Sequence, residues 1–197
     1  MNYEPSRPTR GLLVTPEDRE APARARRLRL LGLGERPEPA LDAFAHRFAE
    51  LTGAPYAMVN FINEERQFFA GLSTPATRPV TLTGPTGQGG PDGSELGRRL
   101  PREHGFCPHV VVRRKALVLE DVRDSPRFAG NPVVDEYGIH AYLGAPLIDS
   151  TGTVLGTVSV ADLVPRHWGR PGLDTIKSTA ADLAARLERR EADGLLL

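Results

Sequence analysis

The sequence predicts an α+β fold in which an antiparallel sheet carries helices on one face and a second covering layer on the other. Residues 139–162 contain two apolar runs on either side of a polar turn that ends in Gly152, which is the pattern of a β-hairpin. Residues 39–52 and 171–191 instead repeat apolar residues at helical spacing. Both faces of the hairpin are largely uncharged, so we expect both to be covered.

The composition excludes several classes of protein. Among 197 residues, 25 Lys and Arg balance 25 Asp and Glu, and a net charge of zero argues against nucleic-acid binding. The single cysteine, Cys107, rules out an internal disulfide and a multi-cysteine zinc site. No apolar run approaches the length of a membrane span, and the N-terminus has no signal-peptide core. We therefore expect a cytoplasmic protein that does not bind a membrane.

Residues 1–37 are rich in proline, arginine and glutamate, which predicts a largely disordered N-terminal extension. Within it, residues 23–33 form a short basic and leucine-rich segment. We expect this segment to form a short helix that lies on the domain. The alternative is a cationic patch that binds phosphate or a membrane surface.

The first predicted helix spans residues 39–52, with Pro39 suited to its first turn and Gly53 to its end. Its apolar stripe consists of Leu41, Phe44, Ala45, Phe48 and Leu51. Strands are predicted next at residues 56–62 and 66–70, joined by a short polar turn.

Residues 73–101 contain five prolines and six glycines, so we predict a flexible insertion. Its glycine-rich run lacks the Lys-Ser/Thr ending of a phosphate-binding loop. A short helix is predicted within residues 102–112, a strand at 117–122, and a loop with one helical turn at 124–136.

The predicted C-terminal helix, residues 171–191, carries a regular apolar seam. Its spacing of three and four residues matches two heptads of a coiled coil. The seam consists of Leu173, Ile176, Ala180, Leu183 and Leu187. Two interpretations stay open: the helix packs on its own sheet, or it forms a homodimer with a second copy.

Several short motifs occur in an order and spacing that resemble the GAF domain family. They are Gly105-Phe106-Cys107, Asp121-Val122, Asp124–Phe128, Asn131-Pro132, and Gly144–Leu147 followed by Gly156–Asp162. The resemblance implies a GAF-like, PAS-related domain over residues 38–192, with helices on one face of the sheet and the roof of a ligand pocket on the other. GAF domains are sensory and regulatory modules. The resemblance thus implies a standalone module that binds an unidentified small molecule and passes its state to a separate signalling protein.

By the same resemblance, eight residues are expected to line the pocket. They are Phe106, Cys107, His109, Phe128, Asn131, Tyr142, Thr157 and Ser159. Bilin-binding members of the family attach a tetrapyrrole to a cysteine with a histidine beside it, whereas Pro108 separates Cys107 from His109 here. We therefore expect Cys107 to pack as a small hydrophobic residue. Members that reduce free methionine sulfoxide use several cysteines, and this sequence has one.

No carboxylate pair, Ser/His/Asp order or metal-binding triad stands out in the sequence, so we expect no catalytic residues and no metal site. The spacing of five between His104 and His109 does not place both on one helix face. Two alternatives to a ligand-binding sensor remain. One is a ligand-free module for dimerisation or protein interaction; the other is a haem or redox protein, with His104, His109 or His140 as the haem ligand.

Overall fold

A computed structural model describes residues 15–75, 97–128 and 130–192, and these residues form one antiparallel sheet with helices on both faces. The order of the strands in the sheet is β3-β2-β1-β6-β5-β4. The strands are β1 (Tyr56–Ile62), β2 (Arg66–Ser73), β3 (Arg99–Pro101), β4 (Leu117–Leu119), β5 (Ala141–Ile148) and β6 (Val154–Asp162). The helices are α1 (Ala21–Leu30), α2 (Pro39–Thr52), α3 (Cys107–Arg113), α4 (Pro132–Tyr137) and α5 (Gly169–Ala192), with a 3-10 turn at Val122–Asp124.

The predicted α+β fold and its central hairpin are confirmed. Strands β5 and β6 pair antiparallel in a register that places Gly144 opposite Ser159, and β6 continues the sheet by pairing with β1. Side chains of β5 alternate between the two layers: Leu143 faces the helix layer, and Tyr142 faces the opposite layer. Every residue of β6 is buried, because both faces of the hairpin are covered.

Helices α1, α2 and α5 contribute to the core on one face of the sheet. The seam of α5 belongs to this core: Ile176 is fully buried and Leu183 is 3% exposed. The apolar seam of α5 thus packs against the sheet of the same chain. In α2 the predicted stripe is wrong at one position, because Leu51 is 72% exposed. The chain reverses at Gly53, with φ 63°, and Ala54 after the reversal is buried in the core instead.

The segment 15–37 packs against the domain: the short helix expected within residues 23–33 is α1, and the residues on either side of it, expected to be disordered, are also ordered against the fold. Arg24 of α1 is fully buried; its Nε donates to the carbonyl of Ile62 at 2.7 Å and its guanidinium pairs with Asp18. The same Asp18 carboxylate accepts from Arg102 at 2.8 Å. Arg27 pairs with Asp149 at 2.8 Å. Intramolecular ion pairs therefore bury arginines that composition alone places in solvent, and residues 1–14 lie outside the described part.

Most of the predicted insertion at residues 73–101 also lies outside the described residues, at 76–96. Its two ends belong to the sheet, since β2 continues to Ser73 and Arg99–Pro101 forms β3 against β2. Strand β3 was not predicted from the sequence. None of the helices in the described ranges is long and apolar enough to cross a membrane.

Candidate ligand site

The face of the sheet opposite α2 and α5 is covered by a roof made of α3, the 3-10 turn and α4. This arrangement encloses a second apolar cluster, separate from the core under α2 and α5. Helix α3 starts after Gly105, whose φ of 77° lies in the left-handed region that glycine adopts readily. The helix predicted within residues 102–112 and the loop predicted at 124–136 thus come together over the sheet.

Asn131 joins the two roof segments. Its side chain is fully buried; Nδ2 donates to the carbonyl of Gly105 at 2.8 Å, and Oδ1 accepts from the Gly105 N–H at 2.9 Å. The same oxygen caps α4 by accepting from the Val133 N–H at 3.2 Å. Asn131 therefore positions the loop before Phe106 and does not itself face the cavity.

Gln67 joins the roof to the sheet. Its Nε2 donates to the backbone carbonyls of Pro101, Arg102 and His104, and its Oε1 accepts from Asn60 Nδ2 at 2.9 Å. These bonds satisfy a polar side chain that is 1% exposed. The chain that leads into Gly105 and α3 is thereby tied to the start of β2.

A cavity of about 60 Å³ lies between the sheet and the roof. A water needs about 10–15 Å³ of such a volume, so the cavity has room for about four waters or for a ligand of a few heavy atoms. None of its lining residues carries a charged side chain. They are Tyr56, Met58, Gln67, Phe69, Leu72, Thr74, Leu100, Gly105, Phe106, Cys107, Val133, Tyr137, Ile139, Tyr142 and Ala161.

Tyr142 and Cys107 form the polar part of the cavity wall. The Tyr142 hydroxyl lies 3.4 Å from Cys107 Sγ, and its ring is tilted against Phe106 with centroids 5.1 Å apart. The phenol extends along β5 over Gly144, where any side chain would overlap its hydroxyl. Burial raises the pKa of Tyr142 well above its ordinary value; the adjacent Cys107 adds to this, whereas Ser159 and Thr157 oppose it. The phenol is therefore a neutral donor.

His109 of α3 lies in the roof and is 1% exposed. Its ring meets Phe128 edge-on with centroids 5.0 Å apart. Burial, and then the charges of Arg127 and Arg113, lower the pKa of His109 from 6.5 to about 4. Among the described residues neither ring nitrogen has a hydrogen-bond partner. His109 is thus a neutral, packed imidazole.

The sequence motifs of the roof and the hairpin lie together around this cavity. A comparison of the sequence with protein-family models agrees with the resemblance that these motifs show. The family model of the GAF domain matches residues 36–187. The chain belongs to the GAF domain family.

Individual GAF relatives share the fold at low sequence identity. A cyclic di-GMP phosphodiesterase of Pseudomonas aeruginosa is 29% identical over 138 residues, which are 68% of this chain but only 20% of that protein. The GAF domain of a Coxiella burnetii phosphoenolpyruvate-protein phosphotransferase superposes with a TM-score of 0.59 at 19% identity, covering 89% of this chain and 97% of that one. A free methionine-R-sulfoxide reductase of Neisseria meningitidis, solved with its substrate, gives 0.55 at 15% identity and 75% coverage of both chains.

The eight residues predicted to line the GAF pocket all lie in the layer between sheet and roof, but they take different places in it. Phe106, Cys107 and Tyr142 line the cavity. The other five lie outside its wall: Asn131 holds the roof, His109 packs with Phe128, and Thr157 and Ser159 are fully buried on β6.

Several residues of the cavity wall were not predicted from the sequence. Met58 and Tyr56 of β1, and Phe69 and Leu72 of β2, face the cavity. Alternation could have placed Tyr56 and Met58 on one face of β1. However, β2 shifts register opposite Val59 and Asn60, so a simple count of two along β2 assigns its residues to the wrong face.

Among the described residues, no group of three His, Cys, Asp or Glu side chains is placed to hold a metal ion.

Proposed function

We propose that this GAF domain is a non-catalytic sensory module that binds a small, uncharged and mostly apolar molecule in the cavity beneath α3 and α4, and passes its state to a separate signalling protein. The observation that carries the proposal is the composition of the cavity wall. The wall is almost entirely apolar and includes the aromatic rings of Phe69, Phe106 and Tyr142, and small-molecule sites are lined mainly by apolar and aromatic side chains.

The absence of charged side chains from the cavity wall disfavours phosphate-bearing ligands. An anion placed there would lose its hydration without gaining a cationic partner, which costs several kcal/mol or more. The similarity to a cyclic di-GMP phosphodiesterase covers one fifth of that protein, and it does not extend that protein's activity to this chain. A tetrapyrrole is also far larger than a cavity of about 60 Å³.

The roof supplies a route for the signal. Phe106, Cys107, Val133 and Tyr137 belong to the cavity wall and also to the starts and ends of α3 and α4. A ligand shifts a conformational equilibrium only through contacts that differ between the two states. A ligand that contacts these four residues would contact both roof segments. Because the Asn131 amide binds the backbone of Gly105, a shift of one segment would be passed to the other.

Two observations support a non-catalytic role. The thiol of Cys107 is 6% exposed and its polar neighbour is the neutral Tyr142 hydroxyl, whereas thiol chemistry needs a base and usually a resolving thiol. The similar methionine sulfoxide reductase shares the fold at 15% identity, and Cys107 is the single cysteine of this chain.

Native mass spectrometry of the purified protein, together with its absorption spectrum, tests the proposal. We expect a bound small molecule that denaturation releases, without a visible absorption band. Ala161→Leu adds side-chain volume at the cavity wall and should abolish the bound mass, whereas Ala43→Leu on the exposed side of α2 should retain it. If Ala161→Leu retains the same bound molecule, that molecule lies elsewhere. If no molecule is bound, the ligand-free interaction module is favoured.

A further inference from the structure

An open groove of about 540 Å³ lies at the β4 edge of the sheet, on the face that α5 covers, and is separate from the ligand cavity. Its floor is apolar and comes from β4, β5 and α5. The lining residues are Arg114, Lys115, Ala116, Val118, Ala145, Pro146, Ile148, Leu173, Lys177, Ala180 and Ala181. Ile148 is 37% exposed, and it is one of four large hydrophobic side chains that are exposed among the described residues.

Strand β4 is the outermost strand of the sheet, and no described strand pairs with its outer edge. At one end of β4 the Leu119 carbonyl accepts from Trp168 Nε1 at 3.2 Å. The open part of the edge is therefore the part that precedes Leu119, beside the groove. An edge with free backbone groups is a place where an extended peptide can add as a further strand.

The rim of the groove holds both lysines of the chain. Lys115 and Lys177 are the two lysines among 25 basic residues, and both are exposed and line this groove. Their neighbour Arg114 is occupied, because it pairs with Glu20 at 3.0 Å and donates to the Gly152 carbonyl at 2.7 Å. Within the described ranges neither lysine has an acidic side chain within ion-pair distance.

We propose that this groove docks an extended segment of a partner protein that combines apolar and acidic residues and adds to β4 as a strand. Apolar side chains on one side of the segment would contact Val118, Ile148 and Leu173, and carboxylates beside them would pair with Lys115 and Lys177. Charge favours this occupant over a second copy of the chain. Pairing β4 with its own copy would bring the cationic rims of two molecules together, which costs free energy.

The test uses full-length protein and labelled nine-residue peptides with a central run of valine and isoleucine, flanked at both ends by glutamate or, as a control, by lysine. Fluorescence anisotropy should show saturable binding of the glutamate peptide that weakens with added salt, and no binding of the lysine peptide. The double variant Lys115→Glu/Lys177→Glu should lose about tenfold or more in affinity. The control variant Arg47→Glu/Arg186→Glu makes the same charge change at exposed positions outside the groove lining and should bind as the wild type does.

Circular dichroism is used to confirm that both variants remain folded. Ile148→Ser, which alters the floor and leaves the charge unchanged, should also weaken binding of the glutamate peptide. Equal binding by the two charge-reversed variants, or no binding of the glutamate peptide at millimolar concentration, overturns the proposal. It is also overturned if the wild type ignores the peptide and Lys115→Gln/Lys177→Gln self-associates, because the lysines then only protect an edge strand from pairing. Since Ala161→Leu alters the cavity alone, it should leave peptide binding unchanged even if the proposed ligand function fails.

Discussion

His109 is neutral in the folded protein because it is buried beside Phe128 and near two arginines. Its pKa falls from 6.5 to about 4, so between these values the unfolded chain binds more protons than the folded one. The free energy of unfolding should therefore decrease as the pH falls from 6.5 towards 4, and the contribution of His109 is complete above 6.5. The loss is at most about 3 kcal/mol.

Urea unfolding at about pH 7.5 and about pH 5 measures this effect. The variant His109→Gln removes the titrating ring, so its free energy of unfolding should change less between the two pH values than that of the wild type. Ser178→Gln, at an exposed position of α5, removes no titrating group and serves as the control; it should keep the wild-type pH dependence. An unchanged pH dependence in His109→Gln would show that other groups cause it.

Cys107 is expected not to attach a bilin. Its sulfur faces the Tyr142 hydroxyl at 3.4 Å, Pro108 separates it from His109, and the cavity is small. The purified protein should be colourless and remain so after incubation with biliverdin. A visible band that resists denaturation and disappears in Cys107→Ala would contradict this.

At the residue scale, the resemblance to the family correctly predicts three residues of the cavity wall, Phe106, Cys107 and Tyr142. The role of Gln67 could not be predicted, because its partners are carbonyls more than 30 residues further along the chain. Likewise, Asn131 was expected to face a ligand, and only the fold shows that both ends of its amide bind Gly105.

Helix α5 provides the prediction at the scale of a structural element. Leu183 is 3% exposed in the core against the sheet, so Leu183→Glu places a carboxylate among apolar side chains. The domain should unfold or lose several kcal/mol of stability. Ser178→Glu, on the exposed side of the same helix, should stay within about 0.5 kcal/mol of the wild type.

Circular dichroism with thermal unfolding measures both variants, and light scattering reports the oligomeric state. A folded, monomeric Leu183→Glu variant derived from a dimeric wild type would contradict the assignment of the seam to the sheet. It would support the homodimer that the sequence left open.

Elements defined by local pattern were predicted well, and those that depend on distant partners were not. The first predicted helix and strand coincide with α2 and β1, since proline, glycine and apolar spacing mark their ends. Strand β3 has only three residues and exists through its pairing with β2, so no local pattern identifies it. Strand β4 is shorter than predicted, because the chain enters a 3-10 turn at Val122.

At the scale of the whole molecule, segment 15–37 is attached through a buried charge cluster. Asp18 is the shared partner of Arg24 and Arg102, and Arg102 belongs to the chain that Gln67 ties to the sheet. Asp18→Ala leaves a fully buried guanidinium without its carboxylate, and removing one partner of a buried pair costs about 3–5 kcal/mol. The exposed Glu17 is the control, and Glu17→Ala should be nearly neutral.

Urea unfolding measures the loss, and limited trypsin digestion tests its location. Cleavage within residues 19–29 should be much faster in Asp18→Ala than in Glu17→Ala. Equal stability and equal cleavage in the two variants would show that the extension is not held by this cluster.

The overall fold was predictable because the hairpin, the two long helices and the order of motifs all point to it. The sequence predicts that residues 23–33 form a short helix on the domain, as α1 does. It does not predict the ion pairs that attach this segment, because proline- and arginine-rich composition usually indicates disorder. In this chain, ion pairs from Arg24 and Arg27 to Asp18 and Asp149 add to the burial of Leu28, Leu31 and Leu33 in the core.

The central claim is that the cavity beneath the roof binds a small apolar molecule, and methionine methyl NMR tests it most directly. The chain has two methionines, Met1 and Met58, and Met58 lines the cavity. In protein labelled with 13C at the methionine methyls, xenon dissolved under increasing pressure should shift the Met58 signal saturably, leave Met1 unchanged, and have no effect in Ala161→Leu. A Met58 signal that dissolved xenon does not move at millimolar concentration, or that moves equally in Ala161→Leu, would contradict the claim.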